Sequence, residues 1–280
     1  MRSAILFVTV VALAAFFAAA LPAQADTVTL NPSGDNVLYN ANGGGVNNNF
    51  GQAEYPLNLT PRAYYVQFGT YGSGLVNVTN SILSFNLNDP AFQPDPGYAL
   101  TIDSATLKFN QFYFSYSPGT VRIYQLLHDF VEGTGSNVQA LPGESCWNWL
   151  AYPGPGDPAD PAGIAWNTPG GYGVGTDHGS TLLASYSGPS ASSGWKTFTS
   201  TADFKALVQD TVGSTLNLWG NGTADDGTSQ FIFKSYSKES NYKPQLIIEY
   251  HFEVIPEPGA LALLATGLIG LLCYAWRKRW

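Results

Sequence analysis

Residues Ser104 to Tyr116 read Ser-Ala-Thr-Leu-Lys-Phe-Asn-Gln-Phe-Tyr-Phe-Ser-Tyr. Leu107 and Phe109 alternate with Lys108 and Asn110, the period of a strand that buries one face. Further along, Phe112, Phe114 and Tyr116 continue the parity of the polar pair. Either a bulge shifts the register there, or an aromatic row emerges on the outer face. The same period recurs on both sides. Ile82, Ser84 and Asn86 oppose an apolar row of Leu83, Phe85 and Leu87, and Val121, Ile123 and Gln125 oppose Arg122 and Tyr124. Candidate strands are Thr27–Leu30, Tyr55–Leu59, Tyr64–Phe68, Ser81–Leu87, Ser104–Tyr116, Thr120–Leu127, Leu182–Tyr186, Thr215–Trp219, Gln230–Tyr236 and Gln245–Phe252. Short β-rich runs broken by Gly, Asn, Pro and Asp predict an all-β fold, an antiparallel β-sandwich or jelly roll.

One short helix interrupts the pattern. Ser200-Thr201-Ala202-Asp203 offers a cap and a first-turn acid. Phe204, Leu207, Val208 and Val212 follow at helical spacing, and Gly213 ends the run. Between them, Val131–Ser180 is rich in Gly, Pro and Asp and holds Trp147, Trp149 and Trp166. It reads as loops, or short strands around a large insertion. No fixed-period repeat points to a solenoid.

Composition narrows the function. Of 280 residues only 11% are charged, and there are 16 Tyr, 16 Phe and 7 Trp, which argues against disorder. Two cysteines, Cys146 and Cys273, exclude a disulfide-stapled scaffold and a Cys-rich zinc site. Four of the twelve basic residues (Arg2, Arg277, Lys278, Arg279) and two of the twenty acidic ones (Glu253, Glu257) lie at the ends. Residues 26–252 therefore carry 8 basic against 18 acidic residues, a net of −10. No nucleic-acid partner is expected for so acidic a domain, nor binding to anionic lipid or acidic polymer.

The two ends read as addresses. Met1-Arg2-Ser3 is a cationic head, Ala4 to Leu21 is almost wholly apolar, and Ala23-Gln24-Ala25 precedes Asp26. These are the parts of a secretory signal peptide over residues 1–25, cleaved after Ala25. At the other end, Pro256-Glu257-Pro258 is followed by Gly259 to Trp276 without a charge, then Arg277-Lys278-Arg279. Those 18 residues would span about 27 Å as a helix, enough for a transmembrane helix, with the basic cluster held on the cytoplasmic side. The domain between, residues 26–252, is then expected outside the inner membrane. The Pro-Glu-Pro triplet, apolar helix and basic tail resemble the PEP-CTERM sorting signal over residues 253–280. That resemblance implies processing by a membrane-embedded exosortase, a transient stay in the inner membrane, and an exopolysaccharide-making Gram-negative host.

A second resemblance covers the domain. Asn49-Phe50-Gly51, Ile102-Asp103-Ser104-Ala105-Thr106-Leu107, and Val121-Arg122-Ile123-Tyr124 followed by Phe130-Val131-Glu132-Gly133-Thr134 are similar in order to segments of the DNRLRE domain. Phe130 stands where that family has Trp. Trp147-Asn148, Trp166-Asn167, Phe233-Lys234-Ser235 and Pro244-Gln245-Leu246-Ile247-Ile248 continue the likeness. The family is a disaggregatase-type β-sandwich of bacterial surface proteins. The likeness implies a noncatalytic module, with polysaccharide as a ligand of some relatives.

The chemical inventory is thin. No G-x-S-x-G, H-E-x-x-H, P-loop or C-x-x-C occurs, and no catalytic residue is assigned. Asp129, Glu132 and Glu144 are the acids near the aromatic-rich loop. A polysaccharide-cleaving enzyme would need one of them paired across a cleft. The alternative is that Glu132 caps or braces a turn. His128 and His178 have no evident nucleophile partner. Tyr116, Trp147 and Trp149 are candidate sugar-stacking residues, against the alternative of core packing. Asp225 and Asp226 are candidate ligands for a structural Ca²⁺, as are Asp157 and Asp160, though without an EF-hand series. The expectation is an exported, noncatalytic surface or matrix protein that contacts exopolysaccharide. A secreted polysaccharide-cleaving enzyme and a protein-binding surface module are the alternatives.

Overall fold

The computed structural model describes residues 25–40, 48–49, 65–71, 77–134, 138–154, 163–188, 193–227, 229–255 and 258–278. Strands in chain order are β1 Asp26–Leu30, β2 Gly34–Asn40, β3 Asn48–Asn49, β4 Tyr65–Tyr71, β5 Asn77–Asn86, β6 Tyr98–Tyr116, β7 Gly119–Gln125, β8 Val138–Gln139 and β9 Trp149–Ala151. They continue with β10 Ile164–Ala165, β11 Ala184–Gly188, β12 Gly194–Thr197, β13 Thr199–Ser200, β14 Thr215–Ala224, β15 Phe231–Tyr236 and β16 Gln245–Val254. Helices run over Ala202–Thr211 and Pro258–Arg277.

The chain divides into two compact units. In the smaller, which includes Gln93–Thr101 and Tyr250–Trp280, the Ile255 N–H donates to Gly97 O at 2.8 Å and His251 Nε2 lies 3.1 Å from Glu253 Oε1. The larger unit, Thr27–Phe92 and Ile102–Glu249, is an antiparallel sheet system consistent with an all-β sandwich. Its strand order is β1-β16-β6-β15-β4-β5-β14-β7-β11-β13, with β12 also on β6 and β2 also on β5. β3–β8 and β9–β10 form two small separate ribbons.

The parity flip in β6 is a bulge. Phe233 pairs Phe114 and Lys234 pairs Tyr113, but Ser235 pairs Gln111, so Phe112 is an extra residue on the β6 side. Beyond it the backbone pairing resumes, with Tyr116 opposite Phe231. The bulge alternative is the one the register shows.

β5 and β14 are buried on both faces. Leu83, Phe85, Leu216 and Leu218 are buried on one side; Asn80, Ile82 and Trp219 are buried on the other. The first side faces an aromatic core. Phe109 packs on Phe198 with centroids 4.8 Å apart and edge-on to Phe68 at 5.7 Å, and Tyr186 and Phe233 close the group. The second face is covered by the long loop, whose Trp147, Leu150 and Trp166 join Leu38, Ile82, Leu126 and Trp219 in one cluster.

The short helix forms as its sequence demands. The Thr201 hydroxyl accepts from the Phe204 N–H at 3.2 Å, Phe204 and Val208 are buried, and Gly213 adopts φ 83°. β2 escaped the pattern reading because Gly34, Asp35 and Asn36 are poor strand formers. Tertiary contacts override propensity here, with β2 paired along β5 from Gly34↔Ser84 to Asn40↔Val78. The expected strand Tyr55–Leu59 lies outside the described residues.

The C-terminal helix is 20 residues long. Among the described residues, no helix is long and apolar enough to cross a membrane. The expected transmembrane helix is corrected accordingly.

Candidate functional site

Three groups of side chains in the larger unit carry the polar chemistry, and all three border the long loop. The first is built on Asp177. Its side chain is completely buried. Burial alone would raise its pKa. Hydrogen bonds from the Thr168 and Asn167 backbone N–H, the Asn167 side chain and the Gly173 N–H outweigh that and hold the carboxyl below its usual range. One carboxylate thus ties residues 167–173 into a tight loop. Beside it, His178 stacks on Trp219 at 4.2 Å, nearly parallel, and His128 Nε2 approaches Asp177 Oδ1 at 3.9 Å. Gly170, at φ 78°, takes a backbone conformation that disfavours other residues. Its carbonyl accepts from Trp219 Nε1 and from buried Asn80 Nδ2, both at 2.9 Å.

The second group is acidic. Asp35 on β2, Glu132 in the loop after β7 and Glu239 after β15 each bring a carboxylate oxygen to within 4.8 Å of the others. The Lys238 ammonium reaches Glu132 at 3.0 Å and Glu239 at 2.6 Å, and its backbone N–H donates to Asp35 at 2.7 Å. Burial pushes Glu132 up to about 6, more than Lys238 pulls it down. Burial, then the Glu239 charge, raises Asp35 well above the carboxylate range. Lys238 is itself raised, since its two carboxylates outweigh the cost of its partial burial. The arrangement suits a lysine clamp. Its ammonium takes two of the three carboxylates that could share a cation.

The third group lines a hollow of about 240 Å³ formed by Gln125, Leu126, Leu127, His128, Asp129, Thr211, Thr215, Leu216 and Asn217. Asn217 Nδ2 donates to Asp129 Oδ1 at 2.8 Å and to His128 O at 3.2 Å, fixing one wall.

The structure redistributes the expected site residues. Trp147 is 5% exposed and belongs to the cluster under the loop, so it is a core residue and not a surface stacking platform. Large aromatics fill such gaps because they bury the most area. Trp149 is half-buried against Ala140, Cys146 and Tyr152. The backbone of Tyr116 is placed by its pairing with Phe231; its side chain lies outside the described residues. Asp225 Oδ1 accepts from the Thr120 hydroxyl at 3.1 Å, and both Asp226 oxygens are taken by Ser229. Among the described residues the only acidic trio close enough to share a cation is the Asp35 group, which contains neither. Asp157 and Asp160 lie outside the described residues.

Glu144 is buried and braces a turn, accepting from Thr134 N–H and its hydroxyl and from Leu141 N–H. Cys146 is buried and unpaired, and burial pushes its thiol up to about 11. Asp177, Asp35, Lys238 and Asn217 were not singled out from the sequence. Only Asp177 left a trace there, as an acid closing a stretch that holds Gly170, Gly171 and Gly173.

At the ends, Ala25 is exposed and Asp26 opens β1, while Ala23 lies outside the described residues. Pro258 begins the C-terminal helix and Arg277 ends it, where a cation meets the helix dipole favourably. Lys278 Nζ lies 5.9 Å from the Tyr274 ring centre. Pro256, Glu257 and Arg279 lie outside the described residues. Residues 254–279 match the PEP-CTERM protein-sorting motif. The match covers the Pro-Glu-Pro triplet, the helix and the whole basic cluster Arg277-Lys278-Arg279. A PEP-CTERM motif indicates export, membrane-associated sorting by an exosortase, and a destination at the cell surface or outside the cell. No curated protein matches the chain.

Proposed function

We propose that this is an exported, noncatalytic surface or matrix protein whose β-sandwich contacts exopolysaccharide. The signal peptide ends at Ala25, the domain folds outside the inner membrane, and exosortase acts on the C-terminal motif at that membrane. The PEP-CTERM match over residues 254–279 carries this reading. Two further features support it. The domain's net charge of −10 suits a soluble module and a neutral ligand. Glu132 and Glu144 are engaged as braces within the loops. The order of Ile102–Leu107, Val121–Thr134 and Pro244–Ile248 supports a DNRLRE-type module. The reading calls for no cofactor. Deleting residues 256–280 and blotting cell fractions tests it. The deleted protein should fail to reach the surface and medium in the normal amount; unchanged release would sink the sorting assignment.

One observation favours a second reading, a polysaccharide-cleaving enzyme. Burial raises Glu132 to about 6, where a glycosidase general acid works, and the Asp35 carboxylate lies close to it. If the protein cleaves a polysaccharide and Glu132→Gln abolishes that cleavage, the noncatalytic reading is overturned.

A further inference from the structure

We propose that the hollow between residues 125–129 and 211–217 binds one neutral pyranose ring of the exopolysaccharide. The proposal rests on the surface-protein reading above and names its contact site. At about 240 Å³ the hollow is smaller than the roughly 300 Å³ where pockets for drug-sized ligands begin, so it suits a single ring. Its side chains supply both halves of the hydrogen bonding that adjacent hydroxyls require. The Asp129 carboxylate accepts, Thr215 donates or accepts, and the Gln125 and Asn217 amides offer further partners. The Thr211 hydroxyl donates to Leu207 O at 2.7 Å, which leaves its oxygen as an acceptor. A phosphate or uronate is disfavoured, because neither Lys nor Arg lines the hollow and Asp129 would repel an anion.

The walls are held before any ligand arrives. Asn217 is fixed by Asp129 Oδ1 and His128 O, the Leu126 N–H donates to Asn217 O at 3.0 Å, and the Leu127 N–H donates to Asp177 O at 2.9 Å. The buried Asp177 loop therefore positions one side of the hollow. Leu127 is 41% exposed at its rim, an apolar surface for the C–H face of a sugar. Preorganised walls lower the ordering cost of binding, which matters most for a weak, small ligand.

The test titrates the full chain, held in a zwitterionic detergent without a sugar headgroup. The probes are methyl glucoside, methyl galactoside, methyl mannoside and methyl glucuronide, followed through backbone amide shifts. At least one neutral glycoside should saturate with an affinity of roughly millimolar, moving amides of Gln125–Asp129 and Thr215–Asn217, and the glucuronide should not. Asp129→Ala, at an exposed position, should weaken binding about tenfold, and Asp225→Ala in a distant turn should leave it unchanged. Absence of a saturable shift with all three neutral glycosides, or wild-type affinity in Asp129→Ala, overturns the proposal. Co-sedimentation with purified exopolysaccharide separates the two levels. If wild type and Asp129→Ala sediment alike, the hollow is wrong and the surface reading stands; if neither sediments, both fall.

Discussion

The sheet around Phe109 and the loop around Trp166 are buried to similar degrees by opposite means. In the sheet, backbone ladders fix the geometry and rings fill the space, with Phe68, Phe109, Phe198 and Phe233 in mutual contact. In the loop no long ladder exists among the described residues, and buried polar groups fix the backbone. Asp177 gathers three N–H groups, Glu144 gathers two, and Gly170 O receives two side-chain donors. The contrast teaches that a loop can be as dry as a sheet when its unpaired amides find carboxylates and amides instead.

The sharpest way to break the comparison is at Gly69 in β4. Its φ is 135°, and an added Cβ would sit 2.0 Å from Phe231 O on the neighbouring strand. Gly69→Ala should cost about 4 kcal/mol, combining a forbidden backbone with a backbone clash. Denaturant titration followed by far-ultraviolet circular dichroism measures it. A cost below about 1 kcal/mol would mean the β4–β15 register is not rigid.

The loop should fail differently. Asp177→Ala removes an acceptor from several buried N–H groups and should cost about 3 kcal/mol. Near-ultraviolet dichroism from Trp147 and Trp166 should collapse at denaturant levels that leave the strand signal intact. Simultaneous loss of both signals would show that sheet and loop are one cooperative unit. The pH dependence has a definite sign. Asp177 has a lowered folded pKa, so its contribution is present above the ordinary value of 3.8 and is lost as pH falls through the lowered one.

The clamp at Lys238 carries the opposite sign. Glu132 has a folded pKa raised from 4.5 to about 6, so its contribution is present below 4.5 and disappears as pH rises through about 6. From this group the protein should lose about 2 kcal/mol across that window. Glu132→Gln should flatten the profile, read as denaturation midpoints at a series of pH values. A profile that stays as steep in the variant assigns the proton to Asp35.

Much of the sheet was legible because its residues obey local rules. Leu83, Phe85 and Leu87 alternate, and Thr201, Phe204 and Val208 sit where a capped helix needs them. The site was less legible because it is made by distance. Asp35 and Lys238 are separated by 203 positions, and Asn217 and Asp129 by 88; no spacing rule links them. Trp147 was ambiguous for a related reason. An indole that packs a core and one that stacks a sugar look alike until the loop above it is placed. The sorting motif was fully legible, since a receptor reads it as contiguous sequence.

The bulge at Phe112 is where local and distant rules meet, and the smallest predicted effect tests it. On the outer face just before the shift back to core parity, Tyr113 is 43% exposed and lies under Lys234 Nζ at 5.3 Å from its ring centre. Burial lowers the Lys234 pKa, so part of this ammonium is already desolvated and the ring's negative face has more to offer than it would in open water. Tyr113→Leu keeps apolar area and removes the ring. It should cost about 0.5 kcal/mol in a denaturant titration. A cost of about 2 kcal/mol or more would place Tyr113 in the core. The extra residue of the bulge would then lie elsewhere on β6.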